Sequence, residues 1–66
     1  MQIAKILANK EQLDSIGIES NITGLYGKVI NYFNTGYIEI EITHNVGKFT
    51  FTNNFDIPKK WLEINE

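Results

Sequence analysis

The segment Tyr37-Ile38-Glu39-Ile40-Glu41-Ile42 alternates strictly between two kinds of side chain. A period of two is that of a β-strand, so Ile38, Ile40 and Ile42 fall on one face and Tyr37, Glu39 and Glu41 on the other. Turn chemistry flanks it. Asn34-Thr35-Gly36 precedes it, and Asn and Gly tolerate positive φ; His44-Asn45-Val46-Gly47 follows and supplies a second turn. Lys48-Phe49-Thr50-Phe51-Thr52 alternates again, which predicts both phenylalanines inward and both threonines outward. With Leu25–Phe33 as a strand bearing Gly24 and Gly27 near its start, the result is a three-stranded antiparallel meander from Leu25 to Thr52.

Around this meander the signals are shorter. Gln2–Leu7 reads as a first strand, with Ile3, Ile6 and Leu7 as its apolar members. Asn9 is a good N-cap and Gly17 a good stop, with Leu13 and Ile16 three apart between them. One or two helical turns near residues 10–16 fit that pattern; an irregular loop is the rival reading. Residues 18–23 complete an excursion. Pro58 cannot donate to a ladder, but its fixed φ suits the first turn of a helix, so Pro58–Trp61 reads as a short 3₁₀ turn before extended Leu62–Ile64. Strand Lys28–Phe33 is apolar on both faces, which a bulge or an exposed stripe awaiting a second copy would explain.

Two local patterns accompany this order of elements. Ile57-Pro58-Lys59-Lys60-Trp61-Leu62 resembles the aliphatic-Pro-x-x-aromatic-aliphatic segment of Src-homology-3-like barrels, and Gly24-Leu25-Tyr26-Gly27-Lys28-Val29 resembles the G-x-x-G-x-V hairpin opening of their bacterial, ribosomal and KOW-type members. The resemblance covers roughly residues 22–65. It implies an all-β, mainly antiparallel fold, a small barrel of about five strands. Peptide-binding members carry an Ala-Leu-Tyr-Asp-Tyr-like first strand and an acidic loop; Ile3-Ala4-Lys5-Ile6-Leu7 has no aromatic and the acidic loop is absent. RNA-binding KOW-type members are basic, and this chain is not.

Composition restricts function. Sixty-six residues are near the lower limit for unaided folding and fit a single domain, residues 1–66. With no cysteine and one histidine there is no disulfide and no thiolate or multi-imidazole metal site, so apolar burial must supply the stability. Eleven isoleucines and eight aromatics suffice for that and favour β structure. The six lysines are mostly isolated and there is no arginine, while the net charge of -2 is too small to imitate a DNA backbone. A basic leader and an apolar span of about 18 residues are both missing, which makes a cytoplasmic location the expectation. The Ile-, Asn- and Lys-rich composition without arginine is of a kind common in AT-rich Gram-positive bacteria and their phages.

No catalytic constellation stands out. His44 could serve as a base, but it lies in an expected turn with no recognisable nucleophile, and reads as a solvated turn histidine. Glu39 and Glu41 could hold a metal or divide acid and base roles, but as an i, i+2 pair they read as the solvated side of a strand. The aromatics lead elsewhere. Phe33, Phe49, Phe51 and Phe55 fit a core, whereas Tyr26, Tyr32, Tyr37 and Trp61 fall near strand ends and turns, where Tyr and Trp form protein-binding surfaces. Trp61 and Tyr32 could equally complete the core.

The expectation is therefore a non-enzymatic protein-binding or inhibitor module, without cofactor, metal or membrane, and possessing an unknown protein partner. Its contacts would be Tyr26, Tyr37, Glu39 and Trp61. A phage or mobile-element protein acting on a host factor would fit. The alternatives are a KOW-like nucleic-acid or ribosome contact through Lys28, Lys48, Lys59 and Lys60, and a homo-oligomerisation unit.

Overall fold

Strict alternation lets Tyr37–Val46 (β3) and Phe49–Pro58 (β4) zip into a ten-residue antiparallel hairpin, pairing continuously from Tyr37 with Pro58 to Val46 with Phe49. The computed structural model of the protein describes residues 1–65. Its other elements are β1 (Ile3–Ile6), α1 (Lys10–Ser15), β2 (Tyr26–Tyr32), a 3₁₀ turn (Lys59–Trp61) and β5 (Leu62–Asn65). The strands form one antiparallel sheet in the order β4-β3-β2-β1-β5. No ladder joins β4 to β5 among the described residues, so the sheet is open.

Each short element has a local cause. The Asn9 side chain accepts from the Gln12 amide at 2.8 Å and the Gln12 side chain accepts from the Asn9 amide at 2.9 Å, a reciprocal capping box. At the other end Gly17 adopts φ +83°, its amide donates to the Asp14 carbonyl, and the Ile18 amide donates to Leu13. This left-handed stop satisfies the last carbonyls and folds Ile18 back beside Leu13 in the core. The helix expected near residues 10–16 is therefore present, stopped at Gly17. The 3₁₀ turn expected over Pro58–Trp61 is present over Lys59–Trp61, with Pro58 remaining extended as the last residue of β4, and the extended segment after it is present too; both are tied to the rest by Lys59 donating to Gly36 and Leu7 donating to the Trp61 carbonyl.

Burial follows the even face of β3. Ile38, Ile40 and Ile42 are fully buried together with Ala4, Ile6, Ala8, Leu13, Ile22 and Ile57, while Ile18 and Leu62 close the edges of the core. A fully buried Ile side chain contributes about 1.5–3 kcal/mol, so these aliphatics dominate the stability of the chain. In β1 the inward residues are Ala4 and Ile6; Leu7, expected among the apolar members of that strand, is exposed because the chain leaves the sheet there.

Two features shape β2. Val29 pairs with Ile40 but Asn31 with Glu39, so Ile30 is the extra residue of a bulge, which accounts for the strand's two apolar faces. Gly27 is buried where β2 crosses from β1 to β3. A Cβ there would lie 2.3 Å from Ile40 Cγ2 and 2.9 Å from the Glu41 carbonyl oxygen, so only glycine fits.

The expected inward placement of Phe49 and Phe51 is wrong in outcome though right in parity. Both lie on the same sheet face as the isoleucines, but they are 69% and 46% exposed. The reason is reach: β2 pairs with β3 only as far as Glu41, and beyond that point the hairpin projects as a two-stranded arm. Phe33, also expected in the core, is exposed at the β2–β3 turn, whereas Phe55 packs against the core as expected. His44 lies within β3 rather than in a turn, because the turn forms three residues later at Gly47-Lys48, where Gly47 takes φ +62°.

Candidate interaction surface

The outer face of β3 is built from the odd residues of the alternation. Tyr37 and Glu39 lie side by side there, opposite Pro58 and Asp56 of β4. Glu39 accepts from the Asn31 side-chain amide at 2.8 Å and from the Asn54 side-chain amide at 3.0 Å. These two donors hold its carboxylate in place while Asp56 sits directly across the strand pair. Glu41 pairs with Lys28 of β2, whose ammonium is 4.0 Å away. At the partly exposed sites of this pair the contact contributes little, in the range of about 0–1 kcal/mol.

Tyr37 also lines a groove. The end of α1 (Ser15, Ile16), the β2–β3 turn (Phe33, Thr35), Tyr37 and Asp56 enclose a concavity of about 520 Å³. The turn is a three-residue loop: the Gly36 amide donates to the Phe33 carbonyl, the Phe33 amide to Tyr37, and Gly36 has φ +89°. This geometry leaves Phe33, 41% exposed, on the groove wall.

The four expected contact residues are not one cluster. Tyr37 and Glu39 are neighbours. Tyr26 is exposed near Met1, Lys28, Glu41 and Thr43, with the Lys5 ammonium 5.9 Å from its ring centroid. Trp61 is half-buried against the core, its ring 5.4 Å from the Lys60 ammonium. Tyr32 is exposed and donates from its hydroxyl to the Gln2 side chain, tying β2 to the N-terminal segment.

The four lysines of the nucleic-acid alternative do not converge. Lys59 and Lys60 lie at the Tyr37–Pro58 end of the long hairpin, Lys48 lies in the turn at its far end, and Lys28 sits beside Glu41. Ten strand residues separate the two ends by about 30 Å.

Among the described residues, no three His, Asp or Glu side chains are grouped closely enough to hold a metal ion, and no helix is long and apolar enough to cross a membrane. Neither Phe33 and Asp56 of the groove nor the exposed aromatics of β4 were expected as surface features. The sequence does carry one signal for the second: the β3 apolar series breaks at Thr43-His44 and that of β4 at Asn53-Asn54, marking where the core ends. No family model matches the chain, and neither the curated proteins nor the solved structures include a match.

Proposed function

We propose that this chain is a small non-enzymatic protein-binding module whose contact surface centres on Tyr37 and the groove it lines. The observation that carries the reading is the convergence there of a half-buried tyrosine, an exposed Phe33 and the Asp56 carboxylate from three separate elements. Tyrosine and phenylalanine at the rim of a concavity offer large contact area at low entropic cost, and a nearby carboxylate and Glu39 give polarity at the edge. We also read the architecture as an open relative of the Src-homology-3-like fold, in which the expected barrel is left unclosed between β4 and β5 among the described residues. The strand order supports this: β1 lies between β2 and β5, a helical excursion separates β1 from β2, and a 3₁₀ turn leads into β5.

The test is affinity capture from the native host with the wild-type chain and with Tyr37→Ala, followed by measurement of affinity for the captured protein. Tyr37→Ala should weaken that affinity at least about tenfold while the circular-dichroism spectrum is retained, as expected of a central contact. Capture of the same protein with unchanged affinity by Tyr37→Ala and by Phe33→Ala would sink the reading.

A further inference from the structure

We propose that two copies of this chain associate edge to edge through β4, antiparallel and in a register centred on Thr52. The argument starts from the edge itself. β4 ends the sheet, pairs with β3 alone among the described residues, and runs ten residues in unbroken register. Between Lys48 and Asp56 it carries no charge, no proline and no bulge, the usual devices that keep an open edge from pairing. The opposite edge, β5, is four residues long.

The hairpin fixes which backbone groups are available. Gly47-Lys48 is a two-residue turn, so Val46 and Phe49 form the hydrogen-bonded pair that flanks it, and the odd residues of β4 bond to β3. Thr50, Thr52 and Asn54 therefore turn their amides and carbonyls to the open side. A two-fold axis at Thr52 sets these three against Asn54, Thr52 and Thr50 of the second copy.

Charge selects this register. It places Lys48 of each copy against Asp56 of the other, twice by symmetry. Asp56 already faces Glu39 across the β3–β4 pair and makes no ion pair among the described residues, so a cation from a second copy relieves two adjacent carboxylates. Moving the axis by one residue along the strand removes the match, because Lys48 then meets Asn54 or Pro58. Registers that oppose odd to even residues set apolar faces against polar ones. In the chosen register Phe49, the most exposed aromatic, falls opposite Phe55, which is half-buried at the margin of the core. The two apolar arms then continue each other's core face.

The test is sedimentation equilibrium over a concentration series, reading mass against the 7.6 kDa chain. The wild type should show a reversible dimer. Thr52→Lys puts like charges on the two-fold axis and should raise the dissociation constant at least tenfold with an unchanged circular-dichroism spectrum. Lys48→Glu and Asp56→Lys should each weaken association several-fold, and the double reversal should restore it, which a foreign strand or another register would not produce. A chain that stays monomeric to about 1 mM, a dimer indifferent to Thr52→Lys, or a double reversal without recovery would each overturn the proposal. So would a monomer that takes up only an unrelated extended peptide along β4.

Discussion

The two halves of the β3–β4 hairpin obey one sequence rule and meet opposite fates. In the half nearer Tyr37 and Pro58, Ile38, Ile40, Ile42, Ile57 and Phe55 lie on the inner face and are buried or packed on the core. In the half nearer the turn, His44, Val46, Phe49 and Phe51 continue the same face and lie outside the core. Alternation therefore decides which side of a sheet a residue occupies, and the extent of the neighbouring strand decides whether that side is covered. The covered half is held by aliphatic contacts and the free half by its turn, its ladder and small pairwise terms. Those terms are the His44–Phe51 and Phe49–Phe51 ring contacts at 6.1 and 6.4 Å, the Thr43–Thr52 hydroxyl pair at 3.1 Å and the Thr50 hydroxyl donating to Asn45 Oδ1 at 2.8 Å.

The contrast breaks most visibly if the covered half proves insensitive. Ile40→Ala removes a fully buried side chain from the centre of β3 and should cost about 2–5 kcal/mol, enough to unfold a chain this small. Urea unfolding followed by Trp61 fluorescence measures it. A loss under about 1 kcal/mol would mean that the inner face is not the main source of stability.

Gly27→Ala tests the strand that provides the cover. The added Cβ meets the Ile40 and Ile42 side chains and, at 2.9 Å, the Glu41 carbonyl oxygen, which cannot move without disturbing the β2–β3 ladder. The expected loss is about 1–3 kcal/mol in the same assay. Gly24→Ala sets a second glycine at positive φ beside it, with open space around the added methyl. Its cost comes from backbone conformation rather than a clash.

These sites show how far the sequence could be read. The meander, the capped helix, the 3₁₀ turn after Pro58 and the bulge near Ile30 were legible because each depends on residues close in the chain: Asn9 with Gln12, Gly17, Pro58, and the two-faced run Lys28–Phe33. The exposure of Phe33, Phe49 and Phe51 was not, because it depends on where β2 stops pairing with β3, and no local pattern states that. The groove was hidden for a similar reason, since Ile16, Phe33 and Asp56 meet only through tertiary folding. Tyr37 and Glu39 were found because alternation alone puts them on the outer face.

At the boundary between the halves, Asn53 faces Ile42 on the inner side and is exposed. Asn53→Val should extend the covered face by one pair. A β-branched residue in place of Asn opposite Ile should add about 0.5 kcal/mol of stability. A destabilisation of similar size would place the boundary one pair farther from the turn than the structure does.

The smallest effect is expected at the tip. Phe49 is 69% exposed, pairs with Val46 beside the turn and contacts Phe51 at the edge of the arm. Replacing it with threonine puts a β-branched residue with good strand propensity in its place and removes little buried area. At dilutions where the chain is monomeric, Phe49→Thr should therefore change stability by no more than about 0.5 kcal/mol. The ladder next to Gly47-Lys48 should stay intact, with amide exchange in Val46–Phe49 no faster than in the wild type. A loss above about 1 kcal/mol in the dilute monomer would show that the arm packs on its own body, and the two halves of the hairpin would then differ in degree rather than in kind. A loss that emerges only as the concentration rises locates the role of Phe49 in contact between copies, where its exposed ring has Phe55 to meet.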